Sequence, residues 1–326
     1  MAHLLAVDGN SLGHRAWHAL RAEALGGAWV AHGMVRMLAT AWSHGPFDAV
    51  VVAFDSRDSI RRELYPAYKA NRPPHDPELH EQLDRSAGLL ATCGFTVASV
   101  EGFEADDLLA SVTRRARHLA VRTSLLSSDR DLISLVRDDV TLLRPRGTMS
   151  DVEVCDPDTV RERYGVDPPR YLDLAVLRGD ASDNLPGVDG IGEKTAAKLL
   201  VSWGSIEALY AGLADLPVNL ATRLREGRDA VERNLGLMSP LGDPDVDVRA
   251  AVARGLDVVR IQRALRAAGL RRAADDLRLA IERPPPPPLP PPPPDDTSGL
   301  SEPPSGPATI SPRPDLALDA EQAALF

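Results

Sequence analysis

The stretch Leu4-Leu5-Ala6-Val7-Asp8 decides the fold, because four consecutive apolar residues predict a buried strand and the aspartate follows its end. Residues 49–54 are apolar as well and are followed by Asp55, and the strand predicted at 123–126 is followed, after two serines, by Asp129. Weaker strands are predicted at 95–100 and 140–143, and helices at 30–42, 77–93, 105–118 and 130–137. Strands that alternate with helices are typical of an α/β fold with a parallel sheet.

The acids behind these strands are predicted to share one site. In an open α/β sheet the ligand crevice lies at the carboxyl ends of the strands, which is where Asp8, Asp55 and Asp129 stand. Two acidic groups further along the chain have the three-residue spacing that places side chains on one helix face. The complete set of nine carboxylates is Asp8, Asp55, Glu104, Asp106, Asp107, Asp129, Asp131, Asp180 and Asp183.

Each acid alone has an ordinary interpretation as a turn former, a helix cap or a partner of the helix dipole. Together, however, so many carboxylates in one crevice would repel one another strongly without bound cations. Ligands that offer only oxygen favour hard cations such as Mg²⁺ or Mn²⁺ over zinc. Two such ions about 4 Å apart promote phosphodiester hydrolysis by activating the attacking water and stabilising the leaving oxygen. The acids therefore predict a two-metal phosphodiesterase site.

Composition sets further bounds on this chain of 326 residues. Hydrophobic residues make up 44%, which is normal for a soluble globular protein, and no apolar run approaches the ~20 residues that span a bilayer. The first residues lack the features of a secretory signal, and Cys93 and Cys155 suggest neither a disulfide framework nor a zinc site. We therefore expect a cytoplasmic monomer.

The chain divides into three regions. We assign residues 1–170 to an α/β domain and residues 171–283, where the pattern becomes helical with glycine-rich turns, to a second domain. Of the 28 prolines, 15 lie between Pro284 and Pro314, so residues 284–326 are expected to form a disordered proline-rich tail. This tail carries half of the net charge of −10, and cations would neutralise many acids of the folded body. Global charge therefore does not exclude a DNA partner.

Residues 57–72 form a basic segment with aromatic residues among the bases. Five bases outnumber two acids in it, and Tyr65 and Tyr68 lie among them. Such a run is usually a solvated face, but this combination also suits stacking on splayed bases together with phosphate contact. The sequence alone leaves both interpretations open.

Six motifs stand in order along the chain. They are Val7-Asp8-Gly9 with Arg15, Phe54-Asp55, Tyr68-Lys69-Ala70-Asn71-Arg72, Glu104-Ala105-Asp106-Asp107, Ser128-Asp129-Arg130-Asp131-Leu132 and Gly179-Asp180-Ala181-Ser182-Asp183-Asn184-Leu185-Pro186-Gly187. Together they resemble the flap endonuclease family, and within it the 5′-3′ exonuclease domain of bacterial DNA polymerase I. The resemblance extends from about residue 4 to residue 212, and more weakly to about residue 280. It implies a PIN-like parallel-sheet nuclease core followed by a helical H3TH (helix-hairpin-helix) domain.

In this family the acids form two metal subsites, and the resemblance implies the same division here. The first ion would be held mainly by Asp8, Asp55, Glu104 and Asp106. The second would be held by Asp129, Asp131 and Asp183, with Asp107 and Asp180 in outer positions.

The resemblance also implies how the nucleic acid is held. It makes residues 57–80 a helical arch for a single-stranded 5′ end, with Lys69 and Arg72 facing the scissile phosphate. Arg15 would lie near the 5′ strand, and Tyr68 would stack on the unpaired terminal nucleotide. The H3TH turn would grip the duplex backbone, with a K⁺ ion in its hairpin, and its contributing residues would be Gly190, Gly192, Lys194 and Lys198.

The last five residues resemble the short peptide by which bacterial replication proteins dock into the sliding clamp. Gln322 is followed by Leu325 and Phe326 at the spacing of that peptide, after the proline-rich spacer. A flexible tether raises the local concentration of such an anchor at its partner. An apolar chain end without a function is the alternative interpretation.

The leading prediction is an enzyme. We expect a 5′-3′ exonuclease and structure-specific 5′-flap endonuclease that hydrolyses DNA in primer removal, replication and repair. We expect it to work without an attached polymerase, because residues 284–326 cannot fold into one. The alternative is a DNA-structure-binding module with vestigial nuclease activity, against which the complete acid set argues. A PIN-type RNA nuclease shares the acidic crevice but lacks the arch and hairpin motifs.

Overall fold

A six-stranded sheet forms the centre of the structure, a computed structural model that describes residues 1–20, 26–72, 76–147 and 151–283. Every pair of neighbouring strands is parallel except the last, β5 and β6, and the order is β3-β2-β1-β4-β5-β6. The five predicted strands are confirmed, and β1 lies between β2 and β4. The strands are β1 (His3–Asp8), β2 (Ala49–Ala53), β3 (Thr96–Ala98), β4 (Arg122–Leu126), β5 (Val140–Arg146) and β6 (Asp151–Cys155).

Helices cover both faces of the sheet and continue beyond it. The predicted helices at 30–42, 77–93 and 105–118 are confirmed as α2, α4 and α5. The segment predicted as a helix at 130–137 forms a short 3-10 helix at Asp131–Leu135. Within the described residues the α-helices are α1 (Gly9–Ala19), α2 (Trp29–Ala41), α3 (Ile60–Leu64), α4 (Pro77–Cys93), α5 (Ala105–His118), α6 (Pro157–Tyr164), α7 (Tyr171–Arg178), α8 (Glu193–Trp203), α9 (Ile206–Ala211), α10 (Val218–Glu226), α11 (Arg228–Met238), α12 (Val248–Arg254), α13 (Val258–Ala267) and α14 (Arg271–Glu282).

Among the elements that were not predicted, β6 and α1 both have mixed sequences. Strand β6 is the antiparallel edge of the sheet, where Asp151 and Glu153 interrupt the apolar pattern and most residues keep some solvent contact. Helix α1 begins at a glycine and carries polar residues on much of its surface. Tertiary contact, rather than local pattern, therefore decides these two segments.

Strand β1 explains why the sheet is buried on both faces. Leu4 and Ala6 pack into one apolar cluster, whereas Leu5 and Val7 pack into another on the opposite face. This division follows from the two-residue period of side chains along a strand. A continuous apolar run is thus what a central parallel strand requires, and the acid that follows it lies at the edge of the sheet.

The last helices of the described chain pack against helices of the α/β region. Helices α13 and α14 pack against α2 and α4, and their residues Ile261, Leu265 and Leu277 join the same apolar cluster as Val7. The last part of the segment predicted as a helical domain, residues 171–283, therefore buries its apolar stripe on the α/β layer, and the domain division itself stays a prediction. The tail at 284–326, with the peptide at 322–326, lies outside the described residues.

Crossing a bilayer requires a helix that is both long and strongly apolar. None of the helices in the part of the chain that the structure describes meets both conditions.

Candidate active site

One cavity of about 1950 Å³ opens at the carboxyl ends of β1, β2 and β4. The structure brings eight of the nine predicted carboxylates to its wall, although they come from distant parts of the chain. The basic residues Arg15, Lys69 and Arg72 also line it. The eight acids are Asp8, Asp55, Glu104, Asp106, Asp129, Asp131, Asp180 and Asp183.

Asp8 lies at the centre of this wall. It ends β1 and caps α1, accepting hydrogen bonds from the Ser11 backbone N–H at 2.8 Å and from the Ser127 hydroxyl at 2.7 Å. Its side chain is buried, and this burial, together with the nearby Asp55 carboxylate, raises the pKa of Asp8 to about 7 despite the two hydrogen bonds. The site therefore holds a carboxylate that ionises near neutral pH.

Four further carboxylates of the cavity are perturbed in the same direction. Desolvation inside the cavity is the largest cause in each case, and it raises the pKa of Asp55 and of Asp129, although Asp129 keeps solvent contact there. The pKa values of Asp106 and Asp131 lie well above the ordinary value, and neighbouring carboxylates add to the effect of burial. The cavity thus contains more negative charge than its own bases neutralise.

Glu104 has the opposite behaviour because cations surround it. Its carboxylate accepts hydrogen bonds from the Ser59 hydroxyl at 2.8 Å, the Tyr68 hydroxyl at 3.0 Å and the Lys69 ammonium at 2.7 Å. Burial alone would raise its pKa, but Lys69 and Arg61 hold the pKa of Glu104 below its ordinary value. This acid therefore stays ionised in the metal-free protein.

The loop after α7 brings Asp180 and Asp183 to the cavity. Gly179, with φ of +80°, begins the two-residue strand β7, which pairs with β8 (Leu185–Pro186). A Cβ at this glycine would lie 2.2 Å from the Gly187 backbone nitrogen, so the close approach of the two strands requires glycine. This hairpin fixes the direction in which both acids point.

Residues 67–72 are bound directly to this acidic loop. Asn71 donates a hydrogen bond to the Ala181 carbonyl at 2.8 Å, and Asn184 donates one to the Ala67 carbonyl at 2.8 Å. Arg72 pairs with the Asp183 carboxylate. These contacts place Lys69 and Arg72 inside the acid cavity, where the sequence predicts a scissile phosphate.

Tyr68 does not have the predicted role. Its side chain is only 3% exposed, and its hydroxyl donates hydrogen bonds to Glu104 and, at 3.1 Å, to Asp183. A ring held in this way cannot stack on an unpaired nucleotide. The aromatic residue instead positions two carboxylates, which corrects the sequence prediction.

The segment predicted as a helical arch, residues 57–80, is helical only in part. Its described residues form the five-residue helix α3, a series of turns up to residue 72 and the start of α4, rather than one continuous helix. Residues 73–75 lie outside the described part of the chain. Arg57 and Arg62 of this segment are exposed and line the acid cavity.

Asp107 is the one predicted ligand that the cavity lacks. It is completely buried, and its two oxygens bind the Arg61 guanidinium at 2.6 and 2.8 Å. The same carboxylate accepts hydrogen bonds from the backbone N–H groups of Glu104 at 3.1 Å and Leu241 at 2.6 Å. Its lone pairs are therefore committed to structural bonds, and the prediction of an outer metal position for Asp107 is corrected.

The remaining predicted contacts lie on the surface. Arg15 lines the acid cavity and donates a hydrogen bond to the Gly147 carbonyl at 2.9 Å. Gly190, with φ of +68°, and Gly192 precede α8, whose first residues include the exposed Lys194. Lys198 is exposed one turn further along the same helix. This arrangement leaves the first N–H groups of α8 directed toward solvent.

The donor set fits divalent cations, although the side chains are not arranged around an ion. The perturbed groups are all carboxylates, whose oxygens are the ligands that hard cations require. Within the described residues, no three acidic, histidine or cysteine side chains are close enough together to hold a metal. Lys69 and Arg72 instead neutralise Glu104 and Asp183. Cation binding would require these two bases to withdraw.

Sequence reasoning missed the residues that hold the acids in place. Ser59 and Ser127 each donate a hydrogen bond to an acid of the cavity, and Asn71 donates one to the loop that carries Asp180 and Asp183. Arg61 was predicted only as one base of the basic segment at residues 57–72. Arg61 has no local signal of burial, because Arg62 beside it has the same kind of side chain and is exposed. The hydroxyl and amide residues have no local signal either, since their partners lie far away in sequence.

Two family models match adjacent parts of the chain. The model described as the 5′-3′ exonuclease, N-terminal resolvase-like domain, matches residues 3–165. The model described as the 5′-3′ exonuclease, C-terminal SAM fold, matches residues 166–254. Together they include every residue of the acid cavity described above.

Bacterial DNA polymerases are similar to this chain over part of their length. DNA polymerase I of Mycobacterium leprae is 40% identical over 246 residues, which are 74% of this chain and 27% of that protein. The thermostable DNA polymerase I of Thermus thermophilus is 36% identical over 259 residues, which are 78% of this chain and 30% of that protein. The chain thus spans less than a third of the length of these relatives.

Solved structures share the fold. The bacteriophage T5 D15 protein co-crystallised with metal ions matches with a TM-score of 0.60 and 23% identity, covering 86% of this chain and 100% of that chain. The catalytic core of Rad2 in complex with DNA substrate matches with a TM-score of 0.55 and 14% identity, covering 86% and 92%. At these identities the likeness establishes the fold alone.

Proposed function

The chain belongs to the 5′-3′ exonuclease family of nucleases, and from this membership we propose that it is a 5′-3′ exonuclease and structure-specific 5′-flap endonuclease. The observation that carries the proposal is the acid cavity, which brings together eight of the nine predicted carboxylates with Lys69 and Arg72. Structural neighbours bound to DNA substrate support a DNA partner. Primer removal, replication and repair are the processes that need this activity.

The proposed substrate is DNA with a 5′ flap, a nick or a frayed 5′ end, including the 5′ strand of an RNA primer. Two divalent cations, Mg²⁺ or Mn²⁺, would supply an activated water and charge stabilisation at the leaving oxygen. Lys69 and Arg72 would bind the scissile phosphate and stabilise its negative charge. The neighbouring T5 D15 protein was crystallised with metal ions, which supports this proposal.

The proposed ligands are those that the family resemblance implies, except for Asp107. Asp107 is omitted, since its oxygens bind Arg61. Asp8, Asp55, Glu104 and Asp106 would serve the first cation, and Asp129, Asp131 and Asp183, with Asp180 behind them, the second.

Cleavage of a labelled 5′-flap duplex tests the function. The full chain with Mg²⁺ or Mn²⁺ is expected to release the flap or nucleotides from the labelled 5′ end. The same reaction with EDTA, and a duplex that carries only a 3′ flap, serve as controls. Binding of the 5′ flap without cleavage in either metal would favour the alternative, a DNA-structure-binding module with vestigial activity.

Cation affinity is expected to fall by about tenfold or more when the pH is lowered from 8 to 6, because carboxylates must release protons to bind a metal. Burial raises the pKa of Asp8 to about 7, so this acid is mainly protonated at pH 6 and mainly ionised at pH 8. Calorimetric titration with Mn²⁺ at both pH values measures the effect. Asp243→Asn, at an acid outside the cavity, provides the control, and equal affinities at both pH values would contradict the prediction.

The turn before α8 is proposed to hold the duplex backbone. Gly190 and Gly192 form the turn before the helix, and the N–H groups at the start of the helix would face a phosphate of the duplex. Lys194 and Lys198 would add contacts that do not depend on sequence. We also propose that this hairpin binds a K⁺ ion.

Clamp docking through Gln322, Leu325 and Phe326 is proposed as a second interaction. The Leu325→Ala/Phe326→Ala chain is expected to lose retention on immobilised sliding clamp, because both apolar anchors are removed. Asp315→Ala, in the same tail, is the matched control. Equal retention of the three proteins would remove the idea, and flap cleavage without the clamp should not differ among them.

A further inference from the structure

A second cavity, of about 550 Å³, lies beside the acid cavity and has the opposite charge. Arg130 and Glu193 line both cavities, so the two share a wall. We call the second cavity the arginine pocket. It is lined by Arg130, Arg144, Arg146, Arg163, Tyr164 and Glu193.

Three elements deliver these arginines. Arg144 and Arg146 are two residues apart on β5, which places both side chains on one face of the sheet. Arg163 lies near the end of α6, and Arg130 stands between two acids of the neighbouring cavity. Four guanidinium groups from separate segments repel one another unless an anion lies among them.

The protein itself provides too little negative charge for this group. Glu153 is shared, since it accepts a hydrogen bond from Arg146 at 2.6 Å, pairs with Arg163 and lies 3.6 Å from Arg144. Glu193 is engaged by Arg178, at 3.0 Å. Within the described residues Arg130 makes no ion pair. The arginine pocket therefore keeps a net positive charge.

Arg144 adds an independent observation. Its side chain is 5% exposed overall, yet its buried Nε has no hydrogen-bond partner among the described residues. Burial lowers the pKa of this guanidinium, and Arg146 acts in the same direction. A buried donor without a partner is costly, and a phosphate oxygen is a suitable acceptor for it.

We propose that the arginine pocket binds a phosphate of the DNA strand that enters the acid cavity, next to the phosphate that is cleaved. The inference rests on the proposed function, because the shared wall at Arg130 connects the arginine pocket to the acids. Guanidinium groups match phosphate oxygens through paired hydrogen bonds. Occupation of the pocket would fix the register of the strand and thereby the position of the cut.

Arg163→Ala is the variant that tests this site. Arg144 is unsuitable, since it also donates a hydrogen bond to the Ser128 carbonyl at 3.2 Å and so braces the loop that carries Asp129. Arg161→Ala is the matched control, because Arg161 lies on the same helix but pairs with Asp158 and Asp167 outside the pocket. Arg163→Lys keeps the charge without the paired donors.

The measurement is single-turnover cleavage of a labelled 5′ flap with Mg²⁺, at several protein and salt concentrations. For Arg163→Ala we expect a half-saturating concentration about tenfold higher, and a slope of log affinity against log salt smaller by about 0.9. The maximal rate should change less than about twofold, because the lost contact positions the strand and does not touch the reacting atoms. Arg163→Lys should retain the salt slope, and Arg161→Ala should match the wild type.

The outcomes separate the two proposals. Absence of cleavage by the wild type would defeat the proposed function itself. Wild-type cleavage with identical saturation and salt slope for Arg163→Ala and Arg161→Ala would overturn the arginine pocket alone. Thermal unfolding in inorganic phosphate distinguishes the source of the ligand. If Arg163→Ala loses stabilisation by free phosphate while its DNA saturation is unchanged, the pocket holds a free anion and the proposal of a DNA phosphate is wrong.

Discussion

Asp131→Asn is expected to lower flap cleavage by a factor of about a thousand or more, while making the metal-free protein more stable. Asp131 lines the acid cavity, and its carboxylate accepts no hydrogen bond from the residues that the structure describes. Removing its charge weakens the cation site, whose contribution to the transition state is several kcal/mol, equivalent to a factor of about a thousand. No structural bond is lost with it.

The stability gain follows from the raised pKa. Burial and then Asp129 raise the pKa of Asp131 well above its ordinary value. Between the unfolded and folded pKa values the folded protein binds a proton that the unfolded chain has released, so stability falls as the pH rises through this window. Asparagine cannot ionise and avoids the loss. We expect an increase in Tm of about 2–4 °C above this window, for a gain on the order of 1 kcal/mol, and none below pH 4.

Thermal unfolding in EDTA from pH 4 to 8 measures the gain, and Asp215→Asn, at an exposed acid outside the cavity, is its control. The difference in Tm between Asp131→Asn and wild type should grow with pH. Saturating Mg²⁺ should stabilise the wild type more than the variant, which would reduce or reverse the difference. A Tm below that of the wild type at every pH would contradict the electrostatic explanation of the site.

The acids could be predicted from the sequence because strand ends are local features. A run such as Leu4 to Val7 indicates a central strand, and the sheet then brings Asp8 and Asp55 to one edge whatever the rest of the chain does. The three-residue spacing of acids at the start of a predicted helix was a poorer guide to the site than the strand ends. Glu104 is the N-cap of α5 and therefore not yet helical, so the three-residue spacing to Asp107 does not place both acids on one face. Of these two acids, only Glu104 faces the cavity.

The contacts that hold the acids could not be predicted, because they join residues far apart in the chain. Tyr68 reaches Asp183 across 115 residues of sequence, and Arg61 reaches the Leu237 carbonyl across 176. Both residues stand in a segment whose composition suggests a solvated basic face. Burial of an arginine requires acidic and carbonyl partners that only the folded chain supplies. The local sequence pattern therefore predicts which acids form this site, but not the long-range hydrogen bonds that hold them in place.

Arg61→Met is expected to destabilise the protein by about 3–5 kcal/mol, because it leaves the buried Asp107 carboxylate without its counter-ion. The Arg61 side chain is 1% exposed, and it also donates a hydrogen bond to the Leu237 carbonyl at 2.7 Å. Although burial opposes it, Asp106 and Asp107 raise the pKa of Arg61, so the guanidinium is always charged. Methionine fills a similar volume without offering any donor. The loss should lower Tm by on the order of 10 °C.

The neighbouring Arg62→Met is the matched control, since Arg62 is exposed and should change stability by no more than about 0.5 kcal/mol. Denaturant unfolding of both variants, and of Arg61→Met with Asp107→Asn, measures the coupling. Asparagine removes the orphaned charge while keeping an oxygen for the Leu241 N–H, so the double variant should be more stable than Arg61→Met alone. Because this ion pair joins α3, the start of α5 and the end of α11, its loss should also loosen Glu104 and the acids beside it. Equal stability of Arg61→Met and Arg62→Met would mean that the acid cavity does not depend on this buried pair.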